Sequence, residues 1–174
     1  MLRLFVGIGL PPELKLSLSL LATGVPGAKW VDPGNYHLTL RFIGEIDEGR
    51  AEDIDLALNQ IRTPRFDLTL ATVSHFGLRQ LWVGVDRNDA LQHLHGKIER
   101  ALTRLGLPPD ERRYTPHVTL ARLKGTSEAR LQTYLAAHAL YRARPFRVEH
   151  FSLIASYLTK SGAIYEDQAD YRLG

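Results

Sequence analysis

Apolar residues alternate with polar ones, or run on with β-branched and aromatic side chains, at about 3–10, 36–44, 66–74, 81–86, 117–123 and 146–157. Both patterns predict strands. Between most of these runs the apolar spacing changes to three and four, over 14–22, 51–61, 90–105 and 127–139, which predicts four amphipathic helices. Pro11-Pro12, Asp89 and Ser127 are suitable helix starts. After a turn at Ser161-Gly162, residues 163–173 add a last strand. The 66–74 and 81–86 runs are joined by a short loop containing glycine and read as a hairpin, so the expected fold is α+β with a largely antiparallel sheet. No low-complexity stretch or long linker divides the chain, so any two lobes should pack against each other.

Composition narrows this without changing it. A chain of 174 residues with 44% hydrophobic and 24% charged residues is long enough to bury a core and has ordinary globular proportions. The opening MLRLFVGIGLPPE has an apolar run preceded by Arg3, but it is short, stops at the two prolines and offers no A-x-A cleavage site. It reads as a first strand. No run approaches the ~20 apolar residues of a membrane span, so no membrane association and a cytoplasmic location are expected. The absence of cysteine excludes disulfides, thiolate nucleophiles and cysteine-based zinc sites. A net charge of +3 and a pI near 9.3 are compatible with an anionic partner. Arg112, Arg113, Arg122, Lys124, Arg142, Arg144 and Arg147 give the second half of the chain a candidate positive face.

The chemistry lies in a phrase written twice, His37-Leu38-Thr39-Leu40 and His117-Val118-Thr119-Leu120. The two histidines stand 80 positions apart, and each phrase is a strand followed by a helix. An internal duplication, with two similar lobes about a pseudo-twofold axis, is the simplest explanation. On a strand His37 and Thr39 share one face, as do His117 and Thr119, while the leucines and valine back them from the other. Facing each other across a cleft, two such strands would bring two imidazoles and two hydroxyls onto one small group, and a phosphate suits them. Phosphodiester cleavage needs a base for the attacking oxygen and an acid for the leaving oxygen. Histidine, with an ordinary pKa of about 6.5, can hold either role near neutrality, and threonine donors could stabilise charge on the nonbridging oxygens.

One His-apolar-Thr-Leu match should follow a given histidine roughly once in two hundred times. Two matches among seven histidines is then a coincidence on the order of one in a few thousand. A single histidine on a half-buried strand is more often structural than catalytic; the pair reverses that balance.

The paired phrases resemble the 2H phosphoesterase superfamily, defined by two H-x-[ST]-hydrophobic motifs. The branch resembled is the RNA 2',3'-cyclic phosphodiesterase, or bacterial and archaeal 2'-5' RNA ligase type. The resemblance extends over RLFVGIGLP, Trp30-Val31, NYHLTLRFIGE, PHVTLARL and FSLIAS. It implies a bilobal pseudo-twofold 2H fold, residues 1–174 as one domain of two similar lobes, two mainly antiparallel sheets lining a central cleft, and helices outside. It also implies no metal or other cofactor and hydrolysis of RNA 2',3'-cyclic phosphate ends to 2'-phosphomonoesters, with 2'-5' ligation as the reverse. By the same resemblance His37 protonates the leaving 3' oxygen and His117 activates water. Phe42 and Arg122, each five residues after a motif histidine, would contact substrate or its phosphate, although strict alternation turns both away from the histidine face. Alternation puts Arg41 on the His37 face. A monomer acting on RNA is expected; a small nucleotide cyclic phosphate as substrate, or a non-catalytic RNA-binding module, are the alternatives.

Other signals carry less. His93 and His95 lie in a helical pattern where i and i+2 do not face together, so solvent exposure is expected for both. Gly7-x-Gly9 is followed by Leu-Pro-Pro rather than a dinucleotide fingerprint, and no phosphate loop, zinc-protease or serine-hydrolase motif occurs.

Overall fold

Every apolar run becomes strand in the computed structural model, which describes residues 1–174. In chain order the elements are β1 (Leu2–Gly9), α1 (Pro12–Ser19), β2 (Ala28–Trp30), a 3-10 turn (Pro33–Asn35), β3 (His37–Ile46), α2 (Glu48–Asn59), β4 (Phe66–Leu68), β5 (Leu70–Phe76), β6 (Gln80–Val85), α3 (Asp89–Arg104), β7 (His117–Leu123), α4 (Glu128–Ala137), β8 (Phe146–Val148), β9 (His150–Thr159) and β10 (Gly162–Arg172). The four helices fall where the spacing puts them. Pro12 occupies the first helical turn of α1, where a missing N–H costs nothing. The Ser127 side chain accepts from the Arg130 N–H at the start of α4. For α3 the cap is Asn88, accepting from the Leu91 N–H at 3.0 Å, and Asp89 lies inside the first turn.

Two runs that read as single strands are each broken. Residues 66–74 divide at Thr69 and 146–157 at Glu149. Their leading segments, β4 and β8, pair with each other as a separate two-stranded ribbon, so each chain segment changes sheet where it breaks. The short β2 and the 3-10 turn have too few residues for any periodicity to show.

All strand pairs are antiparallel. One sheet has the order β10-β9-β1-β3 and the other β2-β7-β6-β5, the two-sheet α+β arrangement expected. The duplicated strands β3 and β7 occupy related places, each hydrogen-bonded to a strand (β1 or β6) that is itself followed by a helix. The sheets are not the two halves of the chain, however. β9 and β10, from the C-terminal end, complete the sheet of β1 and β3, while β2, from the first half, pairs with β7. The simple picture of two consecutive repeats is therefore replaced by two interleaved lobes. Interleaving ties them together, because each sheet depends on segments from both halves of the chain.

A continuous cluster of 38 buried hydrophobic residues runs through both sheets. Leu38, Leu40, Val118 and Leu120, the backing residues of the two phrases, are among them, as are Leu91, Leu94, Ile98 and Leu102, the apolar stripe of α3. Burial of the leucine faces fixes the opposite faces of β3 and β7, since slipping either strand by one residue would exchange core for solvent. No helix is long and apolar enough to cross a membrane.

Candidate active site

Alternation alone misplaces Phe42 and Arg122. On β3 the pairing passes from Gly7–Thr39 to Val6–Arg41, leaving Leu40 as an extra residue. On β7 it passes from Trp82–Thr119 to Leu81–Ala121, leaving Leu120 as an extra residue. Both strands thus bulge at the third residue after their histidine, and Leu40-Arg41 and Leu120-Ala121 are consecutive buried pairs. A bulge changes the parity of the residues beyond it. Phe42, 46% exposed, lines the same cleft as Thr39. Arg122 stands opposite Gln80, whose amide donates to Thr119 Oγ1 at 2.6 Å, so it too lies on the histidine side of its sheet.

The cleft has a volume of about 600 Å³ and is bordered by Thr39, Phe42, His117, Gln80, Tyr114 and four arginines, Arg41, Arg79, Arg112 and Arg113. Thr119 adjoins it through Gln80. His37 and Arg122 do not line this cavity, and lie on the cleft-side faces of β3 and β7, two residues before Thr39 and three after Thr119. Tyr114 spans the two motif strands: its hydroxyl donates to the Thr39 carbonyl at 2.9 Å from the segment leading into β7. Of the positive face expected in the second half, Arg142 pairs with Asp86 and Arg147 with Asp67. Arg79 and Arg113 have no acidic partner, and Arg112 pairs with Asp110 at the cleft edge.

The two histidines have matching surroundings. His37 Nδ1 lies 3.0 Å from the Asn35 carbonyl and His117 Nδ1 lies 2.7 Å from the Thr115 carbonyl, in each case the residue two positions earlier. A carbonyl can only accept, so Nδ1 carries the proton and each neutral ring keeps its Nε2 lone pair free for a reacting group. Phe5 and Tyr165 pack edgewise on His37, and Phe76 and Trp82 pack on His117. Burial pushes both imidazoles below the ordinary histidine value, against the carbonyl bonds, which favour the charged form. Lys15 pushes His37 the same way and Asp167 opposes it.

Arg41 and His95 are not where alternation and helical spacing put them. The guanidinium of Arg41, 8% exposed, donates to Glu99 of α3 at 2.5 Å, to the Phe42 carbonyl at 2.7 Å and to the Pro108 carbonyl at 2.5 Å. It is a strut between β3, α3 and the segment carrying Arg112 and Arg113. His93 is exposed, but His95 stacks flat on Tyr114 at 3.9 Å and lines the cleft. Burial lowers its pKa despite Glu99, so near neutrality its 3.8 Å approach to that carboxylate is a contact of a neutral ring. Arg79, Gln80, Tyr114 and His95 are cleft residues that the sequence reading missed. Gln80 and Tyr114 lie on or beside motif strands, but no spacing rule marks them.

The profile of the 2'-5' RNA ligase superfamily matches residues 26–159. A protein of Aeropyrum pernix named RNA 2',3'-cyclic phosphodiesterase is 37% identical over 158 residues, covering 87% of this chain and 89% of its own length. One of the same name from Methanocaldococcus jannaschii is 29% identical over 95% of this chain and 97% of its own. Among solved structures, E. coli LigT complexed with 3'-AMP superposes with a TM-score of 0.83 at 27% identity, covering 99% of this chain and 98% of that one.

Proposed function

The chain belongs to the 2'-5' RNA ligase superfamily, and from that membership we propose that it opens 2',3'-cyclic phosphates at RNA ends to 2'-phosphomonoesters. The observation that carries this reading is the matched pair of histidines, each with Nδ1 committed to a backbone carbonyl and Nε2 left free. His117 removes a proton from water as it attacks phosphorus; His37 delivers one to the departing 3' oxygen, and the P–O3' bond breaks. Thr39 and Thr119 hydroxyls, with Arg122, stabilise the added negative charge. Phe42 flanks the nucleoside. Neither proton transfer needs a metal. Ligation of a 5'-hydroxyl RNA end is the same opening with that hydroxyl in place of water as the nucleophile, and in dilute solution water should win. We take residues 1–174 as one two-lobed unit, working as a cytoplasmic monomer.

An RNA end is favoured over a small nucleotide because Arg79 and Arg113, unpaired by acids, extend the cleft's positive lining beyond one phosphate. The test compares kcat/KM, in EDTA, for an oligoribonucleotide ending in a 2',3'-cyclic phosphate and for a mononucleoside 2',3'-cyclic phosphate. Turnover should persist in EDTA and favour the oligonucleotide. Equal values would point to the small-nucleotide reading, and no turnover on either would leave a binding module.

The lowered histidines set a pH dependence. The kcat/KM profile reports the free protein, where both groups titrate below the ordinary 6.5, so its bell should centre on the acid side of pH 6.5. A bound phosphate anion favours imidazolium and raises both pKa values, so the kcat profile should lie at higher pH. A kcat/KM optimum above pH 7 would contradict this.

A further inference from the structure

A second phrase is duplicated beside the first: Leu4-Phe5-Val6-Gly7-Ile8 on β1 and Leu81-Trp82-Val83-Gly84-Val85 on β6. These two strands are the neighbours of β3 and β7. Gly7 stands opposite Thr39, and Gly84 opposite His117. A Cβ on Gly84 would lie 3.2 Å from Trp82 Cζ3 and 3.2 Å from the Ala71 carbonyl; one on Gly7 would lie 3.3 Å from Phe5 Cε2 and 3.1 Å from the Leu38 carbonyl. Each glycine is thus the floor across which the aromatic ring two residues earlier lies, the arrangement by which an aromatic covers a bare glycine in a sheet.

The covered rings reach the histidines. Phe5 meets His37 at 6.1 Å between centroids and Trp82 meets His117 at 5.5 Å. A second ring closes each group: Tyr165, 5.5 Å from His37 and 5.1 Å from Phe5, and Phe76, 5.1 Å from His117 and 4.9 Å from Trp82. The two triads are built from different strands, yet have the same plan. Trp82 adds one detail, since its indole Nε1 is buried with no hydrogen-bond partner. A fold that needed only aliphatic bulk here would avoid that unpaired donor with leucine.

We infer that the duplicated aromatic-x-glycine phrase is a pair of independent positioning clamps, Phe5 over Gly7 for His37 and Trp82 over Gly84 for His117, each holding its imidazole at the cleft and excluding water from it. The consequence for catalysis rests on the two-histidine reading; the geometry does not. Each clamp fixes the ring that its backbone carbonyl orients, and each keeps its own histidine's charged form unfavourable until a phosphate enters. The charged groups facing the two sites differ: Lys15 of α1 and Asp167 of β10 act on His37, while Arg41, Arg79, Arg112, Arg113, Asp110 and His95 share the cleft with His117. Independent clamps allow two titrations in unlike fields to be set separately.

The test is a proton NMR titration of the histidine Cε1 resonances in the full chain, for the parent and for Phe5→Leu, Trp82→Leu, Trp82→Phe and Gly84→Ala. Trp82→Leu should move the His117 midpoint upward, toward 6.5, and leave His37 unmoved; Phe5→Leu should do the reverse. Trp82→Phe keeps a ring and should hold the parent value. Gly84→Ala displaces the ring without deleting it and should move His117 in the same direction as Trp82→Leu, which keeps the test open if the leucine variant folds poorly. In turnover, each leucine variant should shift one limb of the kcat/KM profile. Unmoved midpoints, or both histidines moving together in either variant, would overturn the clamps. The NMR readout needs no substrate, so absent turnover on RNA would sink the proposed reaction without touching this inference.

Discussion

Replacing His117 by alanine should lower kcat by on the order of 10²–10⁴-fold with little change in KM or in melting temperature. The side chain lies at the cleft, outside the continuous apolar core, and its one hydrogen bond is to a carbonyl beside an exposed residue, so the fold loses little. The groups proposed to bind the phosphate and its neighbours, Thr119, Arg122 and the cleft arginines, remain. An interaction that acts only in the transition state lowers kcat and kcat/KM together, and that is the signature expected. His37→Ala should behave alike. The double variant should lose far less than the product of the two single losses, because groups that act as a unit are not additive. A tenfold rise in KM with kcat preserved would make His117 a binding residue.

Arg41→Met should be the most destabilising single change in the cleft wall, costing about 3–5 kcal/mol. Methionine fills the volume but leaves Glu99, 19% exposed, without its charge partner, and leaves the Phe42 and Pro108 carbonyls without their donors. For a chain of this size that loss should lower the melting temperature by roughly 6–20 °C. Removing the stranded carboxylate as well, in Arg41→Met with Glu99→Gln, should recover part of the loss, because a buried pair replaced whole is far less costly than one that is halved. Thermal unfolding observed by circular dichroism checks both variants. Equal melting temperatures for the parent and Arg41→Met would show that the pair is not a strut.

The expected fold class was legible because the helices and longer strands have periods that survive packing. The α3 stripe and the leucine faces of β3 and β7 are read directly from spacing. What failed to show was set by partners distant in the chain. The breaks at Thr69 and Glu149 exist because β4 and β8 pair with each other, and no local pattern in either run announces that. The bulges at Leu40 and Leu120 depend on register against β1 and β6, so the positions of Phe42, Arg41 and Arg122 could not be reached by alternation. Solvent exposure fails as an expectation for His95 because helical spacing says which residues share a face and not what docks there; Tyr114 covers it from a segment of irregular structure. The repeated Leu-aromatic-Val-Gly phrase is present in the sequence as plainly as the histidine motifs. It carries no titratable group, so no pattern of reactive side chains marks it.

The most direct measurement is phosphorus NMR of an RNA oligonucleotide ending in a 2',3'-cyclic phosphate, incubated in EDTA with the protein or with its His117→Ala variant. Two-histidine, metal-independent opening predicts that the cyclic resonance is replaced by that of a 2'-phosphomonoester with the parent protein and persists with the variant. A cyclic end untouched by the parent, or a 3'-phosphomonoester as its product, would contradict it.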